Sequence, residues 1–378
     1  MVPRLFSQLV VSILLAITMD MTMARKPGLA KLNAIDSCWR RNPNWIEQRE
    51  QLALCSVGFA AKMKGNIGEG TTSYVVTDPS DDPLNPKPGT LRYGTTMVRG
   101  KVWITFQKDM TITLQATLLV GSLTTIDGRG AIIHIARGGC LLLHKVHDVI
   151  IHGLRIHHCR SQPAHKVMGP GAQLMELSEM DGDAIRLVAS TKVWIDHNTL
   201  YKCEDGLIDV TLGSNNVTIS NNWFRDHDKV MLLGHDDAFE ADKNMKVTVV
   251  YNRFGPNCNQ RMPRVRHGYA HVVNNLYLGW RLYAIGGSMS PSIKSESNLF
   301  VAPKSTNKEI TRQMNGKQWN FKSVGDALEN GATFNTVGTG FVKPNYTDEQ
   351  TFPVEKATVV RQLTRSAGAL RCRRGSLC

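Results

Sequence analysis

The chain has 378 residues, 42% of them hydrophobic, with 32 glycines and a formal net charge of +13. The apolar fraction suffices for a large core, and the glycines argue for many turns rather than for long helices or heptad repeats. A surplus of positive charge attracts polyanions, but there is no lysine-rich tail and no basic amphipathic helix of the membrane type.

Residues 1–24 read as a secretory signal peptide. Arg4 supplies the basic start, Leu5 to Thr18 is mostly apolar, and Thr22-Met23-Ala24 offers small residues for cleavage. The apolar run is shorter than the ~20 residues needed to span a bilayer. Arg4 and Asp20 cancel, so the mature chain keeps its +13. Secretion argues against nucleic acid as a partner, and the lack of a basic amphipathic helix argues against membrane. Charge and compartment together favour an acidic polysaccharide.

All eight cysteines lie in the mature part. Proximity in sequence pairs Cys38 with Cys55, Cys140 with Cys159 and Cys372 with Cys378, leaving Cys203 and Cys258 as buried thiols. No C-x-x-C spacing occurs, which argues against a zinc site. Asn216 and Asn345 fit the glycosylation pattern, the first inside a predicted strand.

Residues 25–60 read as a cap over one end of the core, with an amphipathic helix from Asn44 to Leu54 stapled by Cys38 and Cys55. Thr77 to Gly89 carries four prolines and three aspartates and reads as a loop. From about Val102 short β-branched runs alternate with Gly, Asp and Asn. Five of them share a frame: Val193 to Asn198, Val217 to Asn222, Val247 to Asn252, Ala270 to Asn275 and Ile293 to Asn298. Each ends on Asn, five residues after its first apolar residue, and the asparagines are spaced by 24, 30, 23 and 23 residues. Val149 to Leu154 fits the same frame with leucine at its end. Such a period signals a solenoid, and each unit is too short for a strand, a full helix and a return strand. Stacked parallel strands with an asparagine ladder satisfy the pattern, which predicts a parallel β-helix over 100–302. Residues 303–378 read as a tail that packs along the solenoid and closes its end, with a helix around Val324 to Asn330. Together, 25–378 form one domain.

Stacking makes residues of successive coils neighbours. Asp181 and Asp183 are expected on one strand face, and Asp205 and Asp209 on the same face of the next coil. Four clustered carboxylates suit calcium, which takes several oxygen ligands in flexible geometry. Taken singly, an aspartate is more often a turn former, and Asp127 and Asp196 read that way. Lys229 follows a ladder position. Gln260 to Gly268 then sets Arg261, Arg264, Arg266 and His267 around Pro263, a pattern suited to gripping carboxylates. Simple alternation puts Arg264 and Arg266 on one face and Arg261 on the other. Pro263 interrupts it, so which arginines converge stays open.

The motifs Trp194-Ile-Asp-His-Asn198, Asp205-Gly-Leu-Ile-Asp209, Lys229-Val-Met-Leu-Leu-Gly-His-Asp-Asp237, Phe254-Gly-Pro-Asn-Cys258 and Arg261-Met-Pro-Arg-Val-Arg266 resemble those of plant pectate lyases, the group that includes conifer pollen allergens. The resemblance covers essentially the mature chain. It implies a right-handed parallel β-helix that cleaves de-esterified pectin by β-elimination with calcium as cofactor; separately, the chain is expected to act as a monomer. By motif, Asp181, Asp183, Asp205 and Asp209 match the calcium region, Lys229 and Arg266 match substrate-binding residues, and Arg261 matches the proton-abstracting base. Arg264 and His267 join the substrate-binding set. Two stretches depart from expectation: Asp226 stands where a histidine is expected, and Pro163 to Leu177 has no assigned contacts. Two rival readings are a hydrolase using Asp236 and Asp237, and a non-catalytic wall-binding protein.

Overall fold

Val193, Val217, Val247, Ala270 and Ile293 align in parallel register and point inward with no exposed surface. Ile195, Ile219, Val249 and Val272 form a second such row two residues on. Fully burying each aliphatic side chain contributes about 1.5–3 kcal/mol, so the stacked rows supply much of the cohesion. The computed structural model describes residues 31–378, apart from 305–306, 315–317, 336, 339–342 and 374. The expected signal segment lies outside the described residues.

Each coil visits three sheets in turn, as in Thr191–Asp196, Thr199–Tyr201 and Ile208–Thr211, before the chain rejoins the first sheet at Asn215–Ser220. Among the described residues these parallel sheets have ten, nine and eight strands. This is the expected right-handed parallel β-helix. Its strands run from Thr71 to Glu329, beyond both ends of the 100–302 repeat.

The asparagine ladder is present. Asn198, Asn222, Asn252, Asn275 and Asn298 are wholly buried. Each offers its side-chain oxygen to the backbone N–H of the ladder residue one coil earlier, at 2.8–2.9 Å. Asp326 continues the series, accepting from the Asn298 N–H at 2.7 Å. The helix expected around Val324 to Asn330 is therefore one more coil, strands Asn320–Val324 and Ala327–Glu329.

The N-terminal segment packs elsewhere than expected. Its α-helix is α1 (Ala34–Trp39), and Arg49–Cys55 is a 3-10 turn. Between them Pro43 and an Asn42 side chain that accepts from the Asn44 N–H break the helix. Ile35, Trp39, Trp45 and Leu52 lie not over the end of the core but on the outer face of the ten-stranded sheet, against Trp103, Ile150 and Trp194. From the tail, Phe352 and Leu363 join the same layer. The first coil is closed instead by α2 (Leu91–Thr96), which puts Leu91 into the core. Its buried Arg92 forks onto Asp81 at 2.7 and 2.8 Å.

The three expected disulfides are present, with Cys203 and Cys258 free. Cys258 is buried, which pushes its thiol up to about 12; Cys203 is only partly buried. Asp127 does form a turn, accepting from the Arg129 N–H at 3.0 Å, but neither it nor Asp196 is solvated. Both are fully buried: Asp127 pairs with Arg49 and Arg129, and Asp196 bonds His152, Ser220 and Asn221.

Candidate active site

The outer face of the eight-stranded sheet carries one row of side chains in register. It reads Leu142, Arg186, Asp209, Leu232, Arg264, Gly286 and Arg312. The candidate residues gather along this row.

Asp181, Asp183 and Asp205 each bring a carboxylate oxygen within 4.8 Å of the others. Strand alternation is not what unites them, because all three sit in the connecting segments before the strands Ile185–Val188 and Ile208–Thr211. Gly182, at φ +99°, lies in the first of these; an added Cβ would lie 3.0 Å from both the Ser161 nitrogen and the Glu204 side chain. Asp183 accepts from the Gly206 N–H at 2.7 Å through Oδ1, while its buried Oδ2 has no partner among the described residues. Asp209 stands beside the trio, on the strand. A Cβ on Gly206 would come within 2.5 Å of Asp209 Oδ1 and 2.7 Å of Asp183 Oδ1, so glycine keeps the space between the two carboxylates open.

Burial and mutual repulsion disfavour charge here. Burial, then Asp209, Asp181 and Asp205, hold Asp183 well above the usual carboxylate range. Burial, then Asp205 and Asp181, push Asp209 up to about 7, with Arg186 and Arg261 opposing. A buried carboxylate with an orphaned oxygen beside two others is a donor set that a hard cation fits.

The basic side faces this cluster. Lys229 reaches Asp205 Oδ1 at 2.6 Å, and the strand His227–Lys229 pairs with Cys258–Gln260, setting Lys229 one coil from Arg261. Arg186, missed in the sequence, lies 3.3 Å from Asp181 and beside Asp209 in the row. Its signal was its place in the strand after Asp183.

The three arginines share one side, contrary to simple alternation. Met262 and Val265, three residues apart, both enter the core. The backbone at Arg261 takes φ +60°, and Pro263 follows. Arg261, Arg264 and Arg266 are left half-buried at the surface. Arg264 is depressed first by burial and then by Arg266, with Arg261 adding to the effect, so the charges are near one another. The Nε–H groups of Arg261 and Arg264 are buried without an acceptor among the described residues. Arg266 is held by Asp237 at 3.2 Å and the Gly234 carbonyl at 3.1 Å. His267 departs from its expected role: it is 2% exposed and faces the Asp237 carbonyl at 3.2 Å, supporting a loop instead of meeting solvent.

Asp226 is neutralised locally by Arg225 at 2.5 Å and Asn257 at 2.7 Å. Asp236 and Asp237 are committed as well: Asp236 accepts from the Ala238 and Phe239 N–H groups, and Asp237 pairs with Arg266. Pro163 to Leu177 contains an antiparallel hairpin, His165–Gly169 with Gln173–Leu177. Val167 and Met175 pack it on Leu119 and Leu142, at the start of the row.

Residues 105–370 match the family model described as pectate lyase. The chain is 49% identical over 352 residues to probable pectate lyase 4 of Arabidopsis thaliana, covering 92% of this chain and 91% of that one. It is 47% identical over 353 residues to a pectate lyase of Zinnia elegans, covering 92% and 87%. A crystal structure of jun a 1, the major allergen from cedar pollen, superposes with a TM-score of 0.86 at 47% identity, over 89% of this chain and 99% of that one. With this fold, this row of charged side chains and these similarities, the chain belongs to the pectate lyase family of enzymes.

Proposed function

We propose that this lyase is secreted, requires calcium, and cleaves de-esterified (1→4)-α-galacturonan by β-elimination, leaving a 4,5-unsaturated end. The observation that carries the reading is the trio Asp181, Asp183 and Asp205, with its orphaned buried oxygen, set against Lys229 and three arginines on the outer face of one sheet. Asp181, Asp183, Asp205 and Asp209 would hold the ion, whose charge would bind a substrate carboxylate and make the neighbouring C5 proton more acidic.

The protein's own groups do the rest. Lys229 and Arg266 bind a galacturonate carboxylate and stabilise the charge that develops as C5 loses its proton. Arg261 takes that proton, the C5–H electron pair forms the C4–C5 double bond, and the C4 oxygen departs with the C4–O bonding pair and takes a proton from water. Arg264 binds a neighbouring carboxylate. A guanidinium yields its free base only at high pH, so activity should rise toward alkaline pH. The net charge of +13 supports an acidic polymer as partner. The apolar run within 1–24 supports a cleaved signal peptide, and 25–378 is read as one domain acting as a monomer.

The test is turnover of polygalacturonate with calcium and then with chelator, following ultraviolet absorbance of the unsaturated product. Absorbance that appears with calcium and stops with chelator is expected. New reducing ends without absorbance, or turnover indifferent to chelator, would overturn the proposal.

A further inference from the structure

We propose that Arg312, with Tyr283 as its floor, forms a further carboxylate-binding position of the groove, two strands beyond Arg264, that engages long galacturonan chains. This rests on the reading that the row binds galacturonan, and extends it to chain length.

Arg264, Gly286 and Arg312 are consecutive in the outward row. Adjacent strands lie about 4.8 Å apart, so the two arginines are about 10 Å apart along the groove. Gly286 leaves a gap that the Tyr283 ring fills: a Cβ on Gly286 would lie 2.6 Å from the Tyr283 ring. Tyr283 is 1% exposed. Burial raises the Tyr283 pKa, while Arg261, Arg264 and Arg312 all pull it down, so all three positive charges reach the ring. Arg312 is exposed and makes no ion pair among the described residues. Its near neighbour Glu309 is engaged by Asn335 at 2.9 Å.

Like charges gathered near one tyrosine repel, and among the described residues no carboxylate pairs with Arg312 to offset this. A polymer with a carboxylate on every sugar would do so, giving the planar fork of Arg312 a bidentate partner. The competing account is that Arg312 guards an edge, since Thr311–Gln313 is the last strand of its sheet. An edge guard predicts no effect on substrate.

The two accounts separate in Michaelis kinetics of Arg312→Ala, Arg312→Lys and Lys229→Ala on polygalacturonate and on trigalacturonate. For Arg312→Ala the KM on polymer should rise about fivefold more than the KM on trigalacturonate, the scale of one exposed ion pair. Arg312→Lys should recover part of this, and added salt should shrink the difference. If Lys229→Ala is defective while Arg312→Ala leaves the ratio of the two KM values at wild type, the Arg312 position is wrong. If Lys229→Ala turns over both substrates normally, the groove reading beneath it is wrong.

Discussion

Asp183→Asn tests the carboxylate site through two effects of opposite sign. Asparagine is nearly isosteric and keeps an oxygen for the Gly206 N–H that Asp183 binds at 2.7 Å. What it removes is a buried charge whose Oδ2 has no partner and which Asp209, Asp181 and Asp205 repel. A carboxyl group raised in the folded state costs stability above its ordinary value of 3.8, and the cost grows as pH rises through the folded value. At pH 7.5 in chelator the variant should therefore be more stable than wild type. An unsatisfied buried group costs about 1–3 kcal/mol, which corresponds to a melting point higher by about 3 °C. In calcium the order should reverse. Ligand at about 100 times Kd stabilises a binding protein by about 2.7 kcal/mol, a gain the variant should largely lose together with its activity. Differential scanning calorimetry with and without calcium reads both effects. A variant that melts below wild type in chelator and keeps the full calcium shift would refute the reasoning.

Arg261→Lys should keep the melting point and the calcium shift but lose about 100-fold or more of the ultraviolet-absorbing product, since a base must sit within hydrogen-bond reach of its proton; near-normal turnover would remove Arg261 as base. Asn252→Ala deletes amide donations to Ile219, Val250 and Asn275 and strands the Asn222 N–H. Chemical denaturation should show a loss of about 3 kcal/mol, and a loss below about 1 kcal/mol would mean that the ladder is ornamental. Buried His197 bonds Asp36 at 2.7 Å and fixes the N-terminal segment to the ten-stranded sheet. Burial lowers His197, but Asp36 and Asp196 outweigh it, leaving its pKa above the ordinary 6.5. Burial raises Asp36, but His197 and Arg40 outweigh it, leaving its pKa below 3.8. The pair's stabilisation is thus complete from about pH 4 to 6.5, falling above as His197 deprotonates and below as Asp36 protonates. His197→Gln should cost more stability at pH 6 than at pH 8.5, and an equal cost at both would contradict the assignment.

The scaffold was legible because its signal is periodic. One asparagine per coil, with apolar residues at fixed offsets before it, predicts parallel stacking without any contact being known. Asp326 escaped because it breaks the pattern in type while keeping the geometry. Its carboxyl oxygens accept from Ser295, Ser323 and Asn298, doing as a raised, buried acid what the asparagines do as amides. The outer layer was illegible for a different reason. Val193-Trp194-Ile195 is a continuous apolar run because both faces of the sheet are covered, so the strand cannot say which residue meets the core and which the N-terminal segment. A helix of six residues, as in α1 and α2, is also too short to show a 3.6-residue period.

The site shows why charge can be read from a sequence more easily than direction. A regular strand over this core presents only every second side chain outward, so strict alternation back from Arg266 would turn Arg264 outward with it and Arg261 to the opposite face. Here the core claims Met262 and Val265, three residues apart, and the positive φ at Arg261 takes up the mismatch. That leaves Arg261, Arg264 and Arg266 on one side. The carboxylates follow the same logic, since Asp181, Asp183 and Asp205 lie in connecting segments outside the strands, where glycines at 182 and 206 let the chain and the carboxylates crowd together. Alternation therefore predicts the scaffold well and the site badly: where the groove needs several charges from one short segment, the backbone must leave the strand. The apolar residues that anchor such a segment, Met262 and Val265, determine where its arginines point.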